Sequence, residues 1–79
     1  GAVSPEDFKS KLQEIAQSIW RKTPTYRAAR ELGGSHDRQF IVEVVFDNEV
    51  IGEGRGRSKK EAEQAAASEP IEAIRRHMK

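Results

Sequence analysis

The 79-residue sequence predicts an α+β domain of order α-β-β-β-α, in which a three-stranded antiparallel sheet carries two helices packed on one face. Three observations lead there. Helix-start signals stand near both ends of the chain, at Ser4-Pro5-Glu6-Asp7 and at Ser58 with Glu61 three positions on. Between them Gln39 to Phe46 alternates in strand fashion, flanked by turn-rich segments. The chain is also short enough for only one hydrophobic core.

The first helix is expected to be capped by Ser4, with Pro5 where its missing N–H is harmless and Asp7 at N3 in the role more often filled by Glu. Phe8, Leu12, Ile15, Ala16 and Ile19 form its apolar stripe over about 15 residues, ending before Pro24. Lys9, Gln13 and Gln17 occupy the opposite face, with Ser10 and Glu14 slightly round from it. Tyr26 to Leu32 is a first strand, diluted by two alanines and two arginines, and Gly33 to His36 make a turn. In the second strand Phe40, Val42, Val44 and Phe46 share one face, and Ile41, Glu43 and Val45 the other. Asp47-Asn48-Glu49 turns the chain into a third strand, Val50 to Arg57. Its Gly52, Gly54 and Gly56 fall on one face, serving either a bend or a close neighbour.

Ser58 and Glu61 open the second helix, which runs to about Met78 with Ala62, Ala65, Ala66, Ala73 and Ile74 on its inner side. Pro70 cannot donate to the carbonyl of Ala66, so a kink or break is expected near residues 66–70, a turn that Glu69 makes less core-like. Residues 1–4 are expected to be a leader or cloning remnant, and 5–78 the domain.

Composition excludes several functions. There is no cysteine, hence no disulfide or thiolate chemistry, and His36 and His77 alone give no zinc-ligand spacing. No apolar run reaches membrane-spanning length and no signal peptide is visible, so the expectation is no membrane partner and a cytoplasmic setting. The acids lack the spacing of a metal or glycosidase pair, and Ser35 beside His36 has no third group, so no catalytic residue or metal site is assigned.

The net charge of +1 conceals a pattern. Residues 1–34 carry six basic and four acidic side chains, 35–54 one and five, and 55–79 seven and four. The strongest local feature is Gly54-Arg55-Gly56-Arg57-Ser58-Lys59-Lys60, four basic side chains within six residues across a strand end and a helix start. A helix N-terminus suits an anion such as phosphate, although a solvated basic cap would look the same. The glycine spacing is not that of an ATP-binding loop. Gln13 and Gln17 can donate and accept, which suits 2′-hydroxyls and base edges, but glutamine on a wet helix face is ordinary. His36 sits among small residues that would let a turn enter a narrow groove.

These residues together resemble a double-stranded RNA-binding domain, most closely the C-terminal one of bacterial-type ribonuclease III. The matching stretches are Asp7-Phe8-Lys9-Ser10 with Leu12-Gln13-Glu14, Pro24-x-Tyr26, Gly33 to His36 before Phe40, and the block from Gly54 through Ser58-Lys59-Lys60 to Ala62-Glu63-Gln64-Ala65-Ala66-Ala67. The resemblance implies that Gln13, Glu14 and Gln17 enter one minor groove of a duplex RNA, with Lys9 and Ser10 near its backbone. It places His36 in the next minor groove, and Lys59, Lys60 and Gln64 against the intervening phosphates. Arg38, Arg55 and Arg57 are secondary basic candidates. Departures from the family pattern are Gly34 in place of proline, Glu63 in place of a third lysine (an acid the ribonuclease III branch often shares), and the Glu69-Pro70 pair. The resemblance further implies a monomeric RNA-binding half that needs no cofactor. Its homodimeric parent would carry a separate magnesium-dependent nuclease domain, not found in these residues. Two other uses of the fold remain open at this level, a protein-interaction or dimerisation module and the RNA-binding part of a non-nuclease adaptor.

Overall fold

Helix α1 (Phe8–Trp20) starts later than its sequence signals. The computed structural model describes residues 7–77, so the expected Ser4 cap and Pro5 lie outside the described residues, as do the leader and Met78. Asp7, expected at N3, is itself the N-cap, and its side chain bonds to no backbone N–H. The helix ends at Arg21, whose N–H still donates to the Gln17 carbonyl at 3.1 Å while its left-handed backbone (φ 56°) turns the chain out of the helix. Of the expected stripe, Leu12 and Ala16 are buried, Phe8 and Ile15 half-buried, and Ile19 is exposed.

Strands β1 (Thr25–Leu32), β2 (Gln39–Phe46) and β3 (Glu49–Gly56) form an antiparallel sheet in the order β1-β2-β3. Tyr26, Ala28 and then Glu31 stand opposite Val44, Val42 and Phe40, with Ala29 as an extra residue that shifts the register. A second shift, at Ile51, lies between the pairs Val44–Gly52 and Val45–Val50. The β2–β3 turn puts both Asp47 (φ 53°) and Asn48 (φ 68°) in the left-handed region, the requirement of a type I′ hairpin turn, met here without glycine.

Helix α2 (Lys59–His77) opens as the sequence predicts: Ser58 Oγ accepts from the Glu61 N–H at 3.1 Å. It lies directly on β3, and the glycine stripe is the reason it can. A Cβ on Gly54 would stand 2.1 Å from the Ala66 nitrogen and 2.4 Å from the Ala62 carbonyl oxygen. One on Gly52 would meet the Ala66 oxygen at 2.6 Å and the Pro70 ring at 2.8 Å. The stripe therefore serves a close neighbour.

Of the kink or break expected near residues 66–70, the break does not occur. Pro70 lies inside one continuous helix and is buried, taking the position eight residues after Ala62 and four after Ala66 on the row that faces the glycines. Ala67 and Ile71 are also buried, whereas Ala73, expected inside, is exposed. Ala73 instead lines an apolar groove with Pro70 and Ile74. The core joins Leu12, Val42, Val44, Ala62, Ala66, Ala67 and Ile71, with Phe8, Ile15, Tyr26, Phe40 and Ile51 against it. On the other sheet face Ile41 is buried beside its strand partners Arg30 and Arg55, whose long stems can cover apolar surface.

Candidate nucleic-acid interface

Topology decides which functional candidates meet. Gln39 pairs with Leu32 and Phe40 with Gly56, so the β1–β2 turn and the β3–α2 junction share one end of the sheet. Gln64, in the second turn of α2, bonds to the start of α1. At the other end the Trp20 and Phe46 rings meet at 5.2 Å. The two helices thus run in the same direction, with both N-termini and the turn bearing His36 at one end.

At that end Lys59 and Lys60 occupy the first two positions of α2 and are exposed. Neither takes part in an ion pair among the described residues. Two like charges beside the positive end of a helix are unfavourable for the free protein, and an anion there would reverse that cost. Arg55 alternates with Gly54 and Gly56 along β3. It therefore projects from the face away from α2, and the four-in-six basic run is divided between two surfaces. Arg57 is exposed just past the strand, and Arg38 stands 3.9 Å from Glu31.

The turn between β1 and β2 depends on Gly33. Its φ is +83°, and a Cβ would come within 2.2 Å of the Asp37 carbonyl oxygen. Gly34 has open space around it, and His36 is exposed.

Along α1, Ser10, Gln13, Glu14, Gln17 and Ser18 line a shallow, open, mixed-polarity depression. Gln17 is already engaged, its amide donating to Thr23 Oγ1. Lys9 leaves the expected row with Gln13 and Gln17 in one respect: it is half-buried, with Nζ 2.5 Å from Glu63 Oε1 and 5.0 Å from the centre of the Tyr26 ring. Burial, helped by the nearby Glu63 carboxylate, pushes the Tyr26 hydroxyl up to about 12. That hydroxyl is buried with no hydrogen-bond partner among the described residues. Gln64 is likewise engaged, its Oε1 accepting from the Phe8 N–H at 2.7 Å and the Lys9 N–H at 3.2 Å. Sequence inspection misses the structural duties of Glu63, Gln64 and Tyr26 because their partners lie up to 56 positions away. The single available signal is that Glu63 carries the charge opposite to Lys9.

A groove of about 250 Å³ at the far end is lined only by apolar residues, among them Leu12, Trp20, Phe46 and Pro70, and offers no acid, base or nucleophile. Among the described residues no group of three or more His, Cys, Asp or Glu could hold a metal ion. No helix among them is long and apolar enough to cross a membrane.

The family model described as double-stranded RNA binding motif matches residues 8–73. Ribonuclease 3 of Natranaerobius thermophilus is 48% identical over 61 residues, covering 77% of this chain and 26% of that protein. Ribonuclease 3 of Bacillus licheniformis is 46% identical over 71 residues, covering 90% and 28%. The chain thus spans little more than a quarter of the length of these curated relatives. Among solved structures, that of Dicer from Pichia stipitis superposes with a TM-score of 0.71 at 31% identity, covering 90% of this chain and 34% of that one. A structure of Arabidopsis HYL1 gives 0.69 at 36% identity, covering 92% and 99%.

Proposed function

The chain belongs to the double-stranded RNA binding motif family, and from that membership we propose that it holds duplex RNA by shape, as the substrate-binding domain of a ribonuclease III type endonuclease. The observation that carries the proposal is the convergence at one end of the molecule of unpaired Lys59 and Lys60, the His36 turn and the start of α1.

Each contact follows from the chemistry of its group. Lys59 and Lys60 neutralise phosphates on either side of the narrow major groove, aided by the positive end of α2. Gln13 offers a donor and an acceptor to 2′-hydroxyls and base edges in the shallow minor groove, and the Glu14 carboxylate accepts from a 2′-hydroxyl. Gln17 joins them by exchanging its bond to Thr23, and Ser10 donates to the backbone. His36 enters the next minor groove on its glycine-flanked turn. Lys9 adds a weaker backbone attraction, since Glu63 already offsets its charge. Arg38, Arg55 and Arg57 add long-range attraction. The A-form helix displays these groups at the right spacing over about 16 bp, so the domain selects shape over sequence. Chemistry on the bound RNA belongs to the magnesium-dependent nuclease part of the parent enzyme.

The test is titration of a 20-bp RNA duplex with the native chain and with a Lys59→Ala/Lys60→Ala variant at two salt concentrations. The variant is expected to bind more weakly, with its salt slope smaller by roughly 2. Unchanged affinity and slope would exclude this face from RNA binding and favour a protein-interaction role.

A further inference from the structure

We propose that Gln64 is a positioning residue: by capping α1 it sets the spacing between the groove-reading side chains of α1 and the phosphate-holding lysines of α2. The proposal rests on the RNA-binding face described above.

Among the described residues the start of α1 takes no cap from its own segment, since Asp7 bonds to no backbone N–H. Its first-turn N–H groups at Phe8 and Lys9 instead both donate to Gln64 Oε1, a residue 55 and 56 positions away. Only the oxygen of the amide can accept, so two N–H donors determine how it is turned. Beside this contact Glu63 holds the Lys9 ammonium at 2.5 Å. Consecutive residues of α2 thus grip one turn of α1, one by its main chain and the other by a side chain.

The remainder of the α1–α2 contact is apolar, with Leu12 and Ala16 against the core. The hydrophobic effect behind such packing is non-directional and by itself specifies no one register between the helices. Hydrogen bonds of defined length do specify one. Gln64 also lies four residues after Lys60, on the same face of α2. One face therefore presents a lysine to the phosphates and an amide to α1, linking the two RNA-contacting parts through a single helical turn.

A double-mutant cycle on the full chain with 20-bp RNA, below the melting temperature of every variant, tests the proposal. Gln64→Leu is expected to weaken binding about fivefold, the scale of losing one helix cap. Gln13→Ala should then cost clearly less in the Gln64→Leu background than in the native one, while Lys59→Ala costs the same in both. Gln64→Glu, whose carboxylate accepts both N–H groups, should restore the full cost of Gln13→Ala and the hydrogen-exchange protection of the Phe8 and Lys9 amides. Losses from Gln64→Leu and Gln13→Ala that simply multiply would make Gln64 an independent contact and overturn the proposal. So would native-like binding by Gln64→Leu, an indifferent Gln13→Ala, or failure of Gln64→Glu to restore the coupling. If Lys59→Ala/Lys60→Ala also binds as the native chain does, the RNA face itself is overturned. If that variant is weakened, only the positioning role falls.

Discussion

Replacing Gly54 by alanine would place a methyl carbon 2.1 Å from the Ala66 nitrogen, 2.4 Å from the Ala62 oxygen and 2.6 Å from the Ala65 carbonyl carbon. All three are backbone atoms of α2, and none can rotate away as a side chain would. Relief requires α2 to retreat from β3 by about 1 Å or more, which opens gaps along the whole Ala62–Ala66–Pro70 row. Overpacking usually costs about 1–3 kcal/mol, and an obstruction made only of main chain belongs at or above the upper figure. Against a total stability of about 4–12 kcal/mol for a domain of this size, a loss of about 3 kcal/mol is severe. At about 4–8 °C per kcal/mol it lowers the melting temperature by about 12–24 °C. Gly34→Ala supplies the control, because a Cβ there meets nothing within 4 Å. It is expected to lie within about 0.5 kcal/mol of the native chain. Thermal unfolding followed by circular dichroism measures both variants. A Gly54→Ala protein that melts within about 5 °C of the native one would refute close helix–sheet contact as the purpose of the glycine stripe.

Other perturbations separate the remaining causes. Pro70→Ala restores an N–H for the Ala66 carbonyl and removes an interior-proline cost of about 3 kcal/mol, partly offset by lost burial of the ring; a net gain of about 1–2 kcal/mol is expected in urea unfolding. Net destabilisation would show that the ring's packing on Gly52 dominates. Tyr26→Phe deletes a buried hydroxyl that has no partner among the described residues, so stability should hold or rise by up to about 1 kcal/mol, and a clear loss would reveal a hydrogen bond to that oxygen. Because the Tyr26 hydroxyl is raised from 10.0 to about 12, the folded state retains a proton that the unfolded state loses. The associated stability is complete below pH 10 and is lost as pH rises toward 12. Ultraviolet titration of this single tyrosine checks it: phenolate should form near pH 12 in the folded chain, and formation near pH 10 before unfolding would contradict its burial.

Where the sequence encodes a feature locally, it could be read. The alternation of Gln39 to Phe46 matches β2 residue for residue, and the Ser58–Glu61 signal marks the start of α2. The glycine stripe announced a special contact but not its partner, which only the approach of Ala62 and Ala66 decides. Asp7 stands at the N-cap of α1 and not at N3, and the Gln64 amide that serves the first turn is not legible, because no local pattern encodes a hydrogen bond across 56 positions. That no break forms at Pro70 is illegible for a related reason: local propensity opposes a proline inside a helix, yet here the helix packs on a sheet that covers the ring. Among the site residues, Lys59, Lys60, Gln13 and His36 are exposed as expected. The basic run at 55–60 divides because strand alternation sends Arg55 to the other face while the lysines follow the helix. Lys9, Gln17 and Gln64 prove to have partners within the fold, which fixed their local geometry in a way that residue type alone does not convey.

Recognition of A-form shape is the central claim, and competition between duplexes tests it most directly. The chain should be titrated with a 20-bp RNA duplex, the DNA duplex of the same sequence and the single-stranded RNA, at equal ionic strength and at two salt concentrations. Binding should be tightest for duplex RNA and fall steeply with salt. Comparable affinity for the DNA duplex at both salt concentrations would contradict recognition through the shape and 2′-hydroxyls of RNA and leave only a general attraction to phosphate.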